Sequence, residues 1–230
     1  MLELDRNEVS VPLCLAGYDH LVHSWKCLDA LCKQQVRMAL VNSQRSTDLA
    51  AEVTEYGVLC AYCEGAIYAE GHIEHFRRKN PQHFPELTFQ FSNLFLVCGA
   101  KDHCGHYKDG PETLAYSADD LIKPDEMKPE YYLYFHSSGE VRPQERISPE
   151  DKHIAAETIR VLGLNNGSLP NARKKALSVY ENTILAELDE IAAWPESERD
   201  AYLQQEVQES CWQPYATTIK HFLVKANWQD

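Results

Sequence analysis

The chain has no uninterrupted apolar run near the roughly 20 residues that a membrane-spanning helix needs, so no segment reads as a membrane span. Its opening, MLELDRNEVSV, lacks the basic stretch followed by an apolar one that marks a secretory signal. The expectation is a cytoplasmic protein without membrane contact. No glycine-rich phosphate loop is present, so nothing points to nucleotide hydrolysis by this chain, and there is no internal repeat or low-complexity tract. Basic residues are scarce, with 22 Lys and Arg against 35 Asp and Glu, a net charge of −13. That balance works against close approach to phosphates, because the anionic backbone dominates nucleic-acid affinity.

The charge is unevenly spread. Between residues 71 and 110, five basic side chains (Arg77, Arg78, Lys79, Lys101, Lys108) outnumber four acidic ones (Glu74, Glu86, Asp102, Asp109), and five of the ten histidines lie in the same window. This window carries +1, so the total of −13 leaves −14 for the rest. Acid is densest in 181–210, where nine Asp and Glu face Arg199 alone. That segment reads as a solvated helix face or as a docking surface for a basic partner.

With 230 residues, 44% of them hydrophobic, the chain is long enough for one large domain or two small ones. In HLVHSWKCLDALCKQQVRMALVNSQ, residues Trp25, Leu28, Leu31 or Cys32, Val36 and Leu40 recur at helical steps. A shorter helix is expected at 47–56, and the two together make an N-terminal helical scaffold over 1–57. From 58 to 110 the pattern turns to short strands and loops with few aliphatic core residues, a composition that needs a staple. Residues 111–147 read as a linker and a hairpin turning at Ser138-Gly139. The last segment, 148–230, is helical: Ser148 is a cap, Pro149 fits the first helical position and Gly163 lies near the stop. Further helices are expected at 169–193, 196–209 and 214–225, a platform for partner docking.

Eight cysteines in a reducing compartment are not expected to form disulfides. Cys14, Cys27, Cys32 and Cys211 show no pairing pattern and read as small buried apolar residues. The other four come in pairs: Cys60 and Cys63 in a C-x2-C spacing, Cys98 and Cys104 separated by GAKDH. Four thiolates in two pairs are the number and type that a structural Zn2+ prefers. Such a knuckle brackets the stretch HIEHF, with His72, Glu74 and His75.

The stretches CAYCEGAI, GHIEHF, SNLFLVC and CGHYKD resemble, in this order, the HNH endonuclease family. The resemblance implies an α+β chain in which a zinc-stapled ββα-metal (HNH) core, residues 58–110, is embedded in a mainly helical chain. It implies His75 as general base, Asn93 as the residue orienting the His75 ring, and Glu74 as a ligand of a catalytic Mg2+ or Mn2+. The flanks DRNEVSVPLCL, SWKCLDALCKQQVRMALVNSQ, FHSSGEVRP and RVLGLNNGSLPNARKKAL are similar to PtuB-type HNH effectors of Septu anti-phage systems, including those carried by retrons. That similarity implies bacterial defence, a PtuA-type ATPase partner and, through the ATPase, a retron reverse transcriptase with its RNA/DNA.

One position departs from the family pattern. Where the first turn after the second cysteine pair often supplies Asn or His, this chain has Gly105, so either His106 or Asp109 is left to complete the ion site. Arg77, Arg78, Lys79 and Lys108 read as phosphate contacts or as a solvated loop. His72 and His103 are expected near the site without catalytic duty. The expected substrate is nucleic acid, DNA ahead of structured RNA such as tRNA. The rival reading is a zinc-stapled nucleic-acid or protein-binding adaptor without catalysis.

Overall fold

The computed structural model describes residues 1–7, 9–44, 58–67, 71–186, 190–191 and 193–225. The helix expected at 47–56 lies outside these residues. The first helix, α1, spans Ala30–Ser43. It begins later than the periodicity from Trp25 predicts because Asp29 caps it, accepting the Cys32 N–H at 2.8 Å, a standard use of Asp at an N-cap. Trp25–Cys27 forms a short 3-10 turn instead. Of the two candidates for the core face of α1, Cys32 is buried and Leu31 is exposed.

The expectation of unpaired thiols outside the knuckle is corrected here. Cys14, in the 3-10 turn Leu13–Gly17, is joined to Cys32 by a disulfide, with Cα atoms 5.7 Å apart. The Asp29 cap places Cys32 in the first turn of α1, within reach of a residue far back along the chain. Cys27 and Cys211 are exposed rather than buried.

After the scaffold come three small antiparallel pairs and a series of helices. Strand β1 (Val58–Leu59) pairs with β2 (Ala66–Ile67) around the first cysteine knuckle. Strand β3 (His72–His75) pairs with β4 (Leu94–Val97), with His72 opposite Val97 and His75 opposite Leu94. A five-residue helix, α2 (Cys104–Lys108), follows β4 after the loop 98–103. Beyond it lie α3 (Pro129–Tyr132), the hairpin β5 (Leu133–Phe135) and β6 (Val141–Pro143), then α4 (Pro149–Val161), α5 (Leu169–Ala186), α6 (Glu196–Ser210) and α7 (Ala216–Lys225). The architecture is α+β, mixed helices with small sheets. Among the described residues no helix is long and apolar enough to cross a membrane.

Local chemistry accounts for the boundaries. Ser148 Oγ accepts the Asp151 N–H at 3.0 Å, with Pro149 in the first turn, as the capping pattern predicts. The hairpin turns at Gly139, whose φ of +87° disfavours a side chain and whose missing Cβ makes room for the Pro170 carbonyl.

Strand β4 anchors the site. Leu94, Phe95, Leu96 and Val97 are all fully buried, each worth about 1.5–3 kcal/mol of burial. The Gln44 side chain at the end of α1 accepts the Leu96 N–H at 2.8 Å and donates to the Leu59 and Leu96 carbonyls at 2.9 and 2.8 Å, tying β1 to β4. The same apolar core takes in Val36 and Leu40 of α1, Phe135, and Val161, Leu162 and Leu164 at the end of α4. A second cluster of Leu177, Leu203, Ile219 and Leu223 joins α5, α6 and α7.

Candidate metal centre and active site

The β1–β2 turn and the loop after β4 bring the two cysteine pairs together. Cys60 Sγ lies 3.8 Å from Cys104 Sγ, Cys63 Sγ lies 3.9 Å from Cys98 Sγ, and all four sulfurs fall within 4.8 Å of one another. A tetrahedron built on Zn–S bonds of ~2.3 Å has edges of roughly 3.8 Å, so the spacing fits a four-coordinate metal. Backbone N–H groups also point at the sulfurs: Cys98 N at 3.3 Å from Cys60 Sγ and Gly65 N at 3.4 Å from Cys63 Sγ. Burial, followed by the neighbouring sulfurs, pushes the Cys104 thiol well up. Four thiolates can share this interior only around a cation.

On the other side of α2 lies a polar cluster. His72 and Glu74, two residues apart on β3, share a strand face, and His72 Nε2 is 3.4 Å from Glu74 Oε2. The His106 ring stacks on the His72 ring at 4.0 Å and 16°. Gly105 makes this possible, because a Cβ there would lie 2.6 Å from Glu74 Oε2 and 3.0 Å from His72 Nε2. The space that a side chain at residue 105 would fill is taken by Glu74 and His72.

Lys108 is fully buried, and its ammonium lies 2.8 Å from Glu74 Oε1, 2.7 Å from Asp109 Oδ1 and 3.1 Å from the His75 carbonyl. The Glu74 contact is an ion pair rather than an aligned hydrogen bond. Burial opposes ionisation of Glu74, but Lys108 and then His72 outweigh it and hold the carboxyl at about 2. Asp109 also accepts from Arg78 Nε at 2.9 Å. It is therefore directed to two cations of the chain, whereas His106 stands with His72 beside the free face of Glu74. Lys108 is an internal counter-ion in this arrangement, not a surface contact.

His75 is buried against a different set of neighbours. Its Nε2 is 3.0 Å from the Thr88 carbonyl. A carbonyl only accepts, so the proton of the neutral ring sits on Nε2 and the lone pair on Nδ1. The Trp25 ring meets the imidazole edge-on at 4.6 Å and 87°, and the residue is 2% exposed. Burial, with Lys79 next, lowers its pKa to about 4.

Asn93 does not touch the His75 ring through any of its hydrogen bonds. Its side chain accepts the Arg77 N–H at 2.8 Å and donates to the Arg77 and Leu87 carbonyls at 3.0 and 3.2 Å. It clasps the two ends of the loop that follows β3 and thereby sets the position of Thr88. Arg77 pairs with Asp119 at 2.7 Å and lies over the Phe84 ring, Arg78 lies over Tyr116 and donates to the Lys108 carbonyl, and Lys79 is partly exposed. His103, beside the sulfur cluster, binds Asp102 at 2.8 Å.

Reading the sequence missed Thr88 and Trp25, and it placed His72 near the site without giving it a role. The alternation in HIEH contained a signal for His72, since residues i and i+2 of a strand share a face. Thr88 acts through its backbone and Trp25 arrives from a distant turn, so neither leaves a local pattern.

No protein-family model matches the chain. It is 28% identical over 130 residues to a protein of Vibrio cholerae serotype O1 biovar El Tor named "Retron Vc95 putative HNH endonuclease". The similar stretch takes in 54% of this chain and 60% of that relative, less than two thirds of its length. The likeness supports a nuclease of the HNH kind.

Proposed function

We propose that this protein is a metal-dependent HNH endonuclease that hydrolyses phosphodiester bonds, in DNA first and in structured RNA second. The observation that carries the reading is the β3–β4 hairpin running into α2 through the cysteine cluster, with Glu74, His75 and His106 at its polar end. This order of elements fits a ββα-metal core stapled by Zn2+.

The donor set at the polar end suits a hard divalent ion, Mg2+ or Mn2+. Glu74 is held ionised, and His106, whose pKa is lowered by burial and then by His72, offers a neutral imidazole. Glu74 and His106 would hold the ion, with His72 beside them. Bound there, it supplies charge stabilisation for the phosphate and the leaving oxygen.

The protein's own groups do the rest. With Nε2–H held by Thr88, His75 presents Nδ1 as the base that takes a proton from water. Its depressed pKa keeps it unprotonated at neutral pH. The Asn93 clasp keeps the loop, and so the ring, in place. Lys108 pins Glu74 Oε1 and leaves Oε2 for the ion. Arg77 and Lys79, on the same loop, are the side chains through which a phosphate backbone is met.

The defence setting rests on the resemblance of the flanking segments to PtuB-type effectors, and the retron in the relative's name agrees with it. In that setting the chain works with a PtuA-type ATPase, and the net charge of −13 makes a partner the means of capturing nucleic acid. One observation favours the second reading, an adaptor without catalysis: His75 is closed under Trp25. Cleavage of labelled DNA and RNA, with and without the ATPase, in Mg2+ or Mn2+, separates the two. His75→Ala should lower the rate on the order of 10²–10⁴ with folding unchanged. A folded, metal-loaded wild type that cuts nothing under any of these conditions leaves the adaptor.

A further inference from the structure

The chain between Cys14 and Cys32 lies over the residue read as the base. Its two ends are joined by the disulfide that ties the turn Leu13–Gly17 to the first turn of α1. Within it, the Trp25 ring meets the His75 imidazole edge-on at 4.6 Å and stacks on Phe89 at 6.1 Å and 30°. Tyr18 stacks on the same ring, at 5.3 Å and 29°. Phe89 follows Thr88, whose carbonyl holds His75 Nε2. The segment thus rests both on the imidazole and on the neighbour of its hydrogen-bond partner.

A second observation is how little else holds this segment. Among the described residues, the hydrogen bonds of 13–29, backbone and side chain alike, lead only to residues 12–33. The Tyr18 hydroxyl donates to the Asp29 carboxylate at 2.9 Å and accepts the Asp29 N–H at 3.2 Å, and Asp29 caps α1 at Cys32. The two arms are clasped to each other, with Leu15 and Leu28 buried beneath them and Leu13, Leu21 and Val22 exposed. A bridge between the ends of such a loop restricts its freedom. Of the two sulfurs, that of half-buried Cys14 is the one a reagent meets first, since Cys32 is enclosed.

A base must reach a water or a substrate proton, and His75 is 2% exposed under this cover. We propose that the Cys14–Cys32 bridge is a redox-active site opened by a dithiol reductant, and that residues 15–31 form a strap which shuts His75 off while the bridge is intact. One thiolate of the reductant attacks Cys14 Sγ, the S–S bond breaks, and the electron pair leaves on Cys32, which takes up a proton. The second thiol of the reductant then closes its own disulfide and releases Cys14 as a thiol. Two electrons and two protons pass to the protein. With its ends free, the strap swings on α1 and carries Trp25 off the imidazole. The consequence for cleavage rests on reading His75 as the base, whereas the opening itself is read at the ring.

The test is the rate at which diethyl pyrocarbonate modifies His75 in the full-length chain, followed by peptide mass spectrometry, with the bridge formed and after a phosphine reductant. A phosphine cleaves the bond without the paired thiols that would draw metal from the cysteine cluster. Thiols counted after denaturation fix the state, six with the bridge and eight without it. Reduction should speed the modification about tenfold or more, as expected of a local opening. The double variant Cys14→Ser/Cys32→Ser should react at the reduced rate and ignore the reductant, which separates the bridge from the other cysteines. Trp25→Ala should react fast with the bridge intact, a reading of the strap that does not depend on how the double variant folds. Equal rates in the two states of wild type, a double variant that still responds to the reductant, a slow Trp25→Ala, or a chain that forms no bridge under oxidised glutathione each overturn the proposal. If His75 opens on reduction and labelled DNA and RNA are still not cut, the strap stands and the catalytic reading beneath it fails.

Discussion

The two ends of α2 serve opposite purposes. Its first residue, Cys104, enters a cluster of four sulfurs already at metal-binding distance, enclosed by the knuckle and by Tyr215. Its later residues, His106 and Lys108, face the His72 imidazole and the Glu74 carboxylate. In the polar cluster Lys108 balances Glu74 Oε1, and Oε2 lies beside His72. A structural metal site is closed and a catalytic one keeps an open position; under the proposed function the two would stand a few residues apart on one short helix.

This contrast can be broken from either side. Cys104→Ser should have the largest effect, because a structural metal supplies on the order of 10 kcal/mol that is inseparable from folding. Metal analysis and thermal unfolding should show both metal and cooperative transition lost. Lys108→Met should follow, at about 3–5 kcal/mol, since it leaves Glu74 as an uncompensated buried charge. Denaturant unfolding checks it, and a variant as stable as wild type but weak in nucleic-acid binding would make Lys108 a phosphate contact after all.

Acid should act through His75. Its folded pKa of about 4 lies below the ordinary value, so the unfolded chain binds more protons between about 6.5 and about 4 and stability falls as pH drops through that window. The loss is roughly 3 kcal/mol in total, measured by denaturant unfolding at several pH values. In His75→Gln that component of the pH dependence should vanish. Asn93→Ala should be the mildest, at about 1–3 kcal/mol for the Arg77 and Leu87 groups left unpaired. Its rate loss should exceed what the stability change explains, because the loop carrying Thr88 loosens.

Much of this was legible beforehand where the chemistry is local. Ser148 and Pro149 announce the start of α4, and the turn at Gly139 needs a conformation that glycine adopts freely. The cysteine spacing marks a candidate metal knuckle because two closely spaced pairs supply the four thiolates that a structural metal takes. Other residues misled for a common reason: a charged side chain carries no local sign of where it will end. Lys108 and Arg78 look like surface cations in sequence, yet one is sealed between two carboxylates and the other shares Asp109 with it. The Cys14–Cys32 bridge depends on how a distant turn lies against α1.

The amino-acid order alone was enough for the Ser148 cap, the hairpin turn and the four candidate metal thiolates, since each is written in short local patterns along the chain. Packing in three dimensions settled the rest. It set His106 against His72 beside Glu74, turned Asp109 to Lys108 and Arg78, and put the His75 ring against the Thr88 carbonyl. Those choices are electrostatic and steric matters between segments far apart in the chain, and a buried charge goes to whichever partner the assembled core places within reach.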